Sequence, residues 1–198
     1  MSLVRVWLVT LCMIGWGALG AQAADTAIVK GRVVLPPDSG SPQDTIIYLE
    51  GHIGTPTPNT ATLDQRDQTF VPHVLAVVQG GTVQFLNSDP LFHSVFAASS
   101  AKHFDLGMFG RGERRSVQFD KPGLVELRCN VHPSMRAYIL VVENNYFTAP
   151  DKEGNFQIRA IPPGRYKLRA WHEGFPVAET WANLDDASLR TVELRLQK

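Results

Sequence analysis

Short apolar alternations, broken every few residues by Gly and Pro, run along nearly the whole chain, and helical periodicity is close to absent. A side-chain period of two turns one face of each segment inward, and the breaks supply turns, so the pattern predicts an all-β sandwich architecture. Val83 and Phe85 alternate with Thr82 and Gln84, and Val117 and Phe119 with Ser116 and Gln118. Val125 and Leu127 lead along one face to Cys129, with Glu126 and Arg128 opposite. Lys121-Pro122-Gly123 reads as the turn before that strand, because Pro presets its φ and Gly accepts φ > 0. Arg136 to Val142 predicts a further strand, whereas Ser99 to Glu113, rich in small residues, predicts mostly loop.

Residues 1–23 carry a different signal. Arg5 gives a short positive start, Val6 to Leu19 is apolar and uncharged, and Ala21-Gln22-Ala23 offers a small-x-small cleavage pattern. This is the layout of a secretory signal peptide, too short for a comfortable membrane span, and it predicts export to the periplasm. Cleavage there removes Cys12 and leaves Cys129 as the one cysteine, so no internal disulfide can form. A lone thiol in an oxidising compartment is a liability unless something occupies its sulfur. Charge adds little: 19 basic side chains face 19 acidic ones, which gives no sign of nucleic acid or of a polybasic membrane patch.

Cys129-Asn130-Val131-His132-Pro133-Ser134-Met135 follows the alternating strand and precedes the next one. A strand-to-strand loop can bring thiolate, imidazole and thioether to one point, and thiolate and thioether together favour copper. A second imidazole is available in Asn87-Ser88-Asp89-Pro90-Leu91-Phe92-His93-Ser94-Val95-Phe96, after the strand Thr82 to Leu86. Structural zinc prefers four Cys or His ligands, and haem attachment requires Cys-x-x-Cys-His, so both fit poorly. There is no Gly-x-Gly-x-x-Gly segment opening a helix.

The two motifs together resemble the cupredoxins over most of Phe70 to Val142, and the short Cys-x-x-His-x-x-Met loop with Pro after His is most similar to the amicyanin branch. The resemblance implies one type 1 copper ion, with His93, Cys129 and His132 as close ligands and Met135 as a long axial contact. It also implies a one-electron carrier rather than an enzyme, a redox protein as partner (a cytochrome or dehydrogenase), and His132 as the electron port. Leu91, Phe92, Met108, Phe109 and Pro133 are candidates for an apolar docking surface, with core packing an equal alternative for Phe92 and Phe109. Family members often carry Asn after the first histidine; here that position is Ser94, which leaves the cross-loop hydrogen bond open.

The ends of the chain have another texture. Asp151-Lys152-Glu153-Gly154-Asn155-Phe156 reads as a turn entering a strand, Pro162-Pro163-Gly164 as a second turn, and Tyr166, Leu168 and Ala170 alternate with Lys167, Arg169 and Trp171. With Ile28 to Val34 and Thr45 to Leu49, this block resembles the carboxypeptidase regulatory-like, transthyretin-type β-sandwich. The expected organisation is a split sandwich over 27–60 and 144–198, with the cupredoxin-like domain, 61–143, inserted in one of its loops. Two other functions remain open: a copper carrier or store using the same ligands, and a carbohydrate- or protein-binding module using Trp171, Trp181 and Tyr166. His52, His73, His103 and His172 stand alone in the sequence and predict ordinary structural or surface roles, with His73 the one that could tune a nearby metal.

Overall fold

A computed structural model describes residues 26–185 and 189–198; the signal-type segment 1–23 lies outside them. The strands are β1 (Ala27–Val34), β2 (Thr45–Leu49), β3 (Thr60–Arg66), β4 (Thr69–Val71), β5 (Val74–Val78), β6 (Gly81–Asn87), β7 (His93–Ala98) and β8 (His103–Phe109). They continue as β9 (Arg114–Phe119), β10 (Gly123–Arg128), β11 (Arg136–Val142), β12 (Phe147–Thr148), β13 (Asn155–Ile161), β14 (Gly164–His172), β15 (Ala178–Leu184) and β16 (Leu189–Arg195). The described residues are all-β apart from one short 3-10 turn, Pro42–Asp44. Among the described residues no helix is long and apolar enough to cross a membrane.

A five-stranded sheet, in the order β5-β11-β10-β7-β8, and a four-stranded sheet, β4-β3-β6-β9, enclose one apolar core. Val83, Phe85 and Phe119 enter it from one side, and Val95, Val125, Leu127 and Ile139 from the other. A second pair of sheets, β13-β1-β16 and β12-β2-β14-β15, encloses another core around Val29, Ile47, Leu49, Phe156, Leu168 and Leu184. β1 pairs antiparallel with β13 and parallel with β16, and β2 pairs antiparallel with both β12 and β14.

A third apolar cluster joins the two. Val74, Ala76, Val78, Tyr138, Leu140 and Val142 meet Ile46, with Tyr48, Phe147 and Trp171 packed at its margin. β11 therefore buries both faces: Ala137, Ile139 and Val141 point into the first core, and Tyr138, Leu140 and Val142 into the joint. Its partner β5 runs parallel to it. That two-sided burial is why Val74-Leu75-Ala76-Val77-Val78 and Ala137 to Val142 read as unbroken apolar runs.

The expectation of mostly loop from Ser99 to Glu113 is corrected by β8, an edge strand paired with β7. Its polar outer residues and Gly107 hid the alternation, but Phe104 turns inward, with ring centroids 5.8 Å from Phe85 and 6.1 Å from Phe119. The turn before β13 is held by Asp151, whose carboxylate accepts the Glu153 and Asn155 N–H groups at 3.1 and 2.7 Å. Gly154 there has φ +88°, and a Cβ would fall 2.4 Å from the Val33 carbonyl oxygen, so only glycine fits.

Candidate metal centre

The strand period itself aims the loop residues. β10 and β11 are antiparallel neighbours that close at Arg128 opposite Arg136, leaving Cys129 to Met135 as the connection. Cys129 continues the inward set Val125 and Leu127, and Met135 begins the inward set Ala137 and Ile139. Both are buried, Met135 almost completely. The Met135 N–H donates to the His132 carbonyl at 3.0 Å, which tightens the loop and leaves the His132 ring half-buried at its outer side. His93 opens β7 and is fully buried.

These elements converge. His93 Nδ1 lies 2.9 Å from His132 Nδ1 and 4.0 Å from Cys129 Sγ, and one donor atom from each of the three residues lies within 4.8 Å of the others. Nitrogen and thiolate ligands sit about 2.0–2.3 Å from a first-row ion, so atoms sharing one ion are spaced by about 3–4.5 Å. The described residues contain no other such group of three His, Cys, Asp or Glu side chains. A soft thiolate, two imidazole nitrogens and an adjacent thioether fit copper better than zinc, magnesium or calcium, whose ligands are harder or more numerous.

The surroundings fix these side chains. Ser94 Oγ accepts the Asn130 N–H at 2.8 Å and lies 3.9 Å from Cys129 Sγ, so the serine supplies the cross-loop bond that the sequence left open. Asn87 donates to the carbonyls of Leu91 and Phe109, both at 2.9 Å, and accepts the Asp89 N–H at 3.0 Å, bracing the loop before His93. Asp89 Oδ2 stands 3.1 Å from His93 Nε2, off the ring N–H direction. The Gln68 N–H, at 2.8 Å, is the chief influence holding the Asp89 carboxyl below the usual carboxylate range, with the His93 contact adding to it. Asp64 lies one layer further out. Burial alone would raise its carboxyl, but bonds from Arg66, Ser88 and the Gln65 N–H outweigh it and pull the carboxyl down. Asp89 went unweighed as a site residue in the sequence, whereas Ser94 was noted with its cross-loop bond left open. The available signal was a carboxylate four positions before His93 in a loop already marked by that histidine.

Leu91, Phe92, Met108 and Val131 are exposed around the centre, Phe92 and Met108 by 59% and 62%. Phe109 is not part of that surface: it is 1% exposed and belongs to the core. The other histidines lie outside the cluster. His73 Nε2 is 2.7 Å from Glu173, His52 Nδ1 is 3.2 Å from Glu143, and buried His172 contacts the carbonyls of Glu173 and Ser41. His103 is exposed at the start of β8. A groove of about 890 Å³ over Lys30, Arg32, Asp151, Asn155 and Glu193 shares no residue with the centre.

Among solved structures, the chain is similar to a purple cupredoxin from Nitrosopumilus maritimus, at 20% identity over 41% of this chain and 98% of that one, with a TM-score of 0.38. It is similar to a copper-containing nitrite reductase from Thermus scotoductus SA-01, at 25% identity over 57% of this chain and 28% of that one, with a TM-score of 0.42. A reduced Cu(I) form of an amicyanin variant matches at 22% identity over 46% of this chain and 83% of that one, with a TM-score of 0.38. A family model described as polysaccharide lyase family 4, domain II, matches residues 139–186. That match covers β12 to β15 and names a family other than the transthyretin-type one expected from the sequence. No curated protein matches the sequence.

Proposed function

We propose that the chain is a periplasmic one-electron carrier that holds a single copper ion through His93, Cys129 and His132, with Met135 as a weak axial ligand. The observation that carries this reading is the convergence of two imidazole Nδ1 atoms and one thiolate sulfur beside a buried methionine. Bound copper would supply a Cu(I)/Cu(II) couple. The protein's part is to keep the donor set the same in both states, and for this the ligands are rooted in the ends of paired strands and cross-braced by Ser94. We read 61–143 as the copper domain and 27–60 with 144–198 as one split sandwich, a division supported by the pairing of β1 and β2 with strands from β12 onward.

His132 is the proposed electron port, because it is the ligand nearest solvent; exposed Val131 precedes it, exposed Leu91 and Phe92 precede His93, and exposed Met108 pairs with Ser94. Arg111, just past β8, and Arg114, at the start of β9, are exposed without an ion-pair partner among the described residues, whereas Arg115, Arg66 and Arg128 are paired with Glu113, Asp64 and Glu126. Free guanidinium groups at the rim favour a redox partner with an acidic docking surface. A small apolar face with a charged rim suits a transient contact that must release quickly.

The decisive experiment is a visible spectrum of the oxidised, copper-loaded protein. An intense thiolate-to-copper charge-transfer band is expected, and Cys129→Ser is expected to abolish it without unfolding the protein. A variant that stays blue would refute the ligand set. The port is tested by stopped-flow reduction with anionic hexacyanoferrate(II) and cationic hexaammineruthenium(II). Pro133→Glu is expected to slow the anionic reagent and spare the cationic one; equal rates before and after would move the port elsewhere.

A further inference from the structure

The ligand loop springs from two arginines. Arg128 closes β10 directly before Cys129, Arg136 opens β11 directly after Met135, and the two stand opposite each other in the register. Alternation along β11 sends Met135 and Ala137 into the first core and leaves Arg136 and Tyr138 on the outer face of the sheet. Glu173, in the turn after β14, reaches that face from the second sandwich, the one built on β1, β2 and β12 to β16. Its Oε1 lies 2.6 Å from Arg136 Nη2 and accepts the Tyr138 hydroxyl at 2.8 Å, and its Oε2 lies 2.7 Å from His73 Nε2. The turn is itself held, because buried His172 sets Nδ1 2.9 Å from the Glu173 carbonyl and accepts the Phe175 N–H on its own carbonyl at 3.3 Å. His73 stands just before β5, which runs parallel to β11, and its carbonyl accepts the Tyr138 N–H at 2.9 Å. All three partners of the Glu173 carboxylate therefore lie at the end of the five-stranded sheet that carries the ligand loop.

Resting on the copper reading of the centre, we infer that Glu173 is a positioning residue for it: through Arg136 the second sandwich fixes the end of the ligand loop and so braces the metal centre. The lever is short. Adjacent Cα atoms stay about 3.8 Å apart, so holding Arg136 restrains Met135. The Met135 N–H donates to the His132 carbonyl at 3.0 Å, which carries the restraint on to the half-buried ligand. Ser94 ties the other end of the loop, at Asn130. Within the first sandwich Glu126 lies 2.7 Å from Arg128 but 3.9 Å from Arg136, so the close partner of Arg136 comes from across the joint.

A Glu173 that merely joined the sandwiches would act like any other contact between them, and Glu143 supplies the comparison. It follows β11 at the end away from the loop, its Oε2 accepts the Gly51 N–H at 3.0 Å, and its Oε1 lies 3.2 Å from His52 Nδ1. The test is amide hydrogen exchange on the full-length, metal-free protein, comparing wild type with Glu173→Gln and Glu143→Gln. Glu173→Gln should speed exchange of the Met135 amide about 2–5-fold, the size set by a partly exposed ion pair, and Glu143→Gln should leave it unchanged. An unchanged Met135 amide in Glu173→Gln, or an equal rise in both variants, overturns the inference whether or not copper binds. Should Glu173→Gln fail to fold, Arg136→Gln, which removes the other half of the pair, takes its place. The second readout is transfer of Cu(I) to a bathocuproine chelator, which should be about 2–5-fold faster from Glu173→Gln and unaltered in Glu143→Gln. Equal release from wild type and Glu173→Gln overturns the positioning role. A wild-type protein without the thiolate-to-copper charge-transfer band would sink the copper reading instead, leaving the exchange result to judge the brace.

Discussion

At Ser94 a single hydroxyl ties two loops together, accepting the Asn130 N–H and standing within reach of the Cys129 sulfur. Ser94→Ala leaves that N–H without its acceptor, and the expected cost is about 1–3 kcal/mol in chemical denaturation. Met135 sits in the core rather than on the surface, so Met135→Leu is close to volume-conserving and should cost under about 1.5 kcal/mol. On the proposed copper reading, the variant should keep its colour and show a raised potential by voltammetry. Loss of copper from a folded Met135→Leu protein would make the thioether an essential ligand. Asp64 gives a pH test. Its folded carboxyl lies below the ordinary value of 3.8, so its stabilising effect is present above that pH and is lost as pH falls through the lower folded value. The stability gap between wild type and Asp64→Asn should therefore narrow below about pH 4, read by urea unfolding at a series of pH values. A gap that widened on acidification would contradict the hydrogen bonds assigned to this carboxylate.

Strand by strand, the sequence was clearest where one face is buried and the other wet. Val83 and Phe85 in β6 and Val125 and Leu127 in β10 are inward, as their alternation predicts. β8 was missed because an edge strand has a partner on one side only, and its outer positions carry His103, Asp105 and Gly107, which resemble loop. β5 and β11 show the opposite difficulty, since burial on both faces erases alternation. Ile139 lies at the centre of β11 and is fully buried, so Ile139→Ala should cost about 2–5 kcal/mol by the cavity it opens, measured by thermal or urea unfolding. Gly154 tests the turn between sandwich strands. Gly154→Ala meets both an unfavourable φ and the Val33 carbonyl, and should destabilise by more than about 1 kcal/mol.

Across the whole molecule, a small polar group centred on Glu173 stands where the two sandwiches meet, beside the apolar joint. Glu173 accepts the Tyr138 hydroxyl at 2.8 Å, lies 2.7 Å from His73 Nε2 and pairs with Arg136 at 2.6 Å. The Tyr138 ring is 5.2 Å from Trp171, and the tyrosine hydroxyl is pushed up to about 12 by burial and by the carboxylate it bonds. Burial opposes ionisation of Glu173, but its bonds to His73 and Tyr138 win and hold it below the ordinary value of 4.5. Its contribution is therefore complete above that value and is lost as pH falls through the lower folded one. Acidification should loosen the joint first, seen as a shift in Trp171 emission before global unfolding, and Glu173→Gln should remove that early transition. An early transition that persists in the variant would place the acid-sensitive contact elsewhere. His73 belongs to this joint rather than to the clustered donor set, so its role is to connect the sandwiches.

Sequence alone determined the all-β class, because alternation and turn chemistry are local properties written residue by residue. It also determined which side chains could serve as soft metal donors, since thiolate, imidazole and thioether are chemical identities that need no fold. Only the tertiary structure decided that His93, at the start of β7 and 36 residues before Cys129, brings Nδ1 to 4.0 Å from its sulfur. It alone set Ser94 across the ligand loop, Asp89 behind the histidine, Phe109 in the core and Glu173 at the joint. Those assignments depend on sheet order and register between segments far apart in the chain, and a short-range pattern carries no information about either.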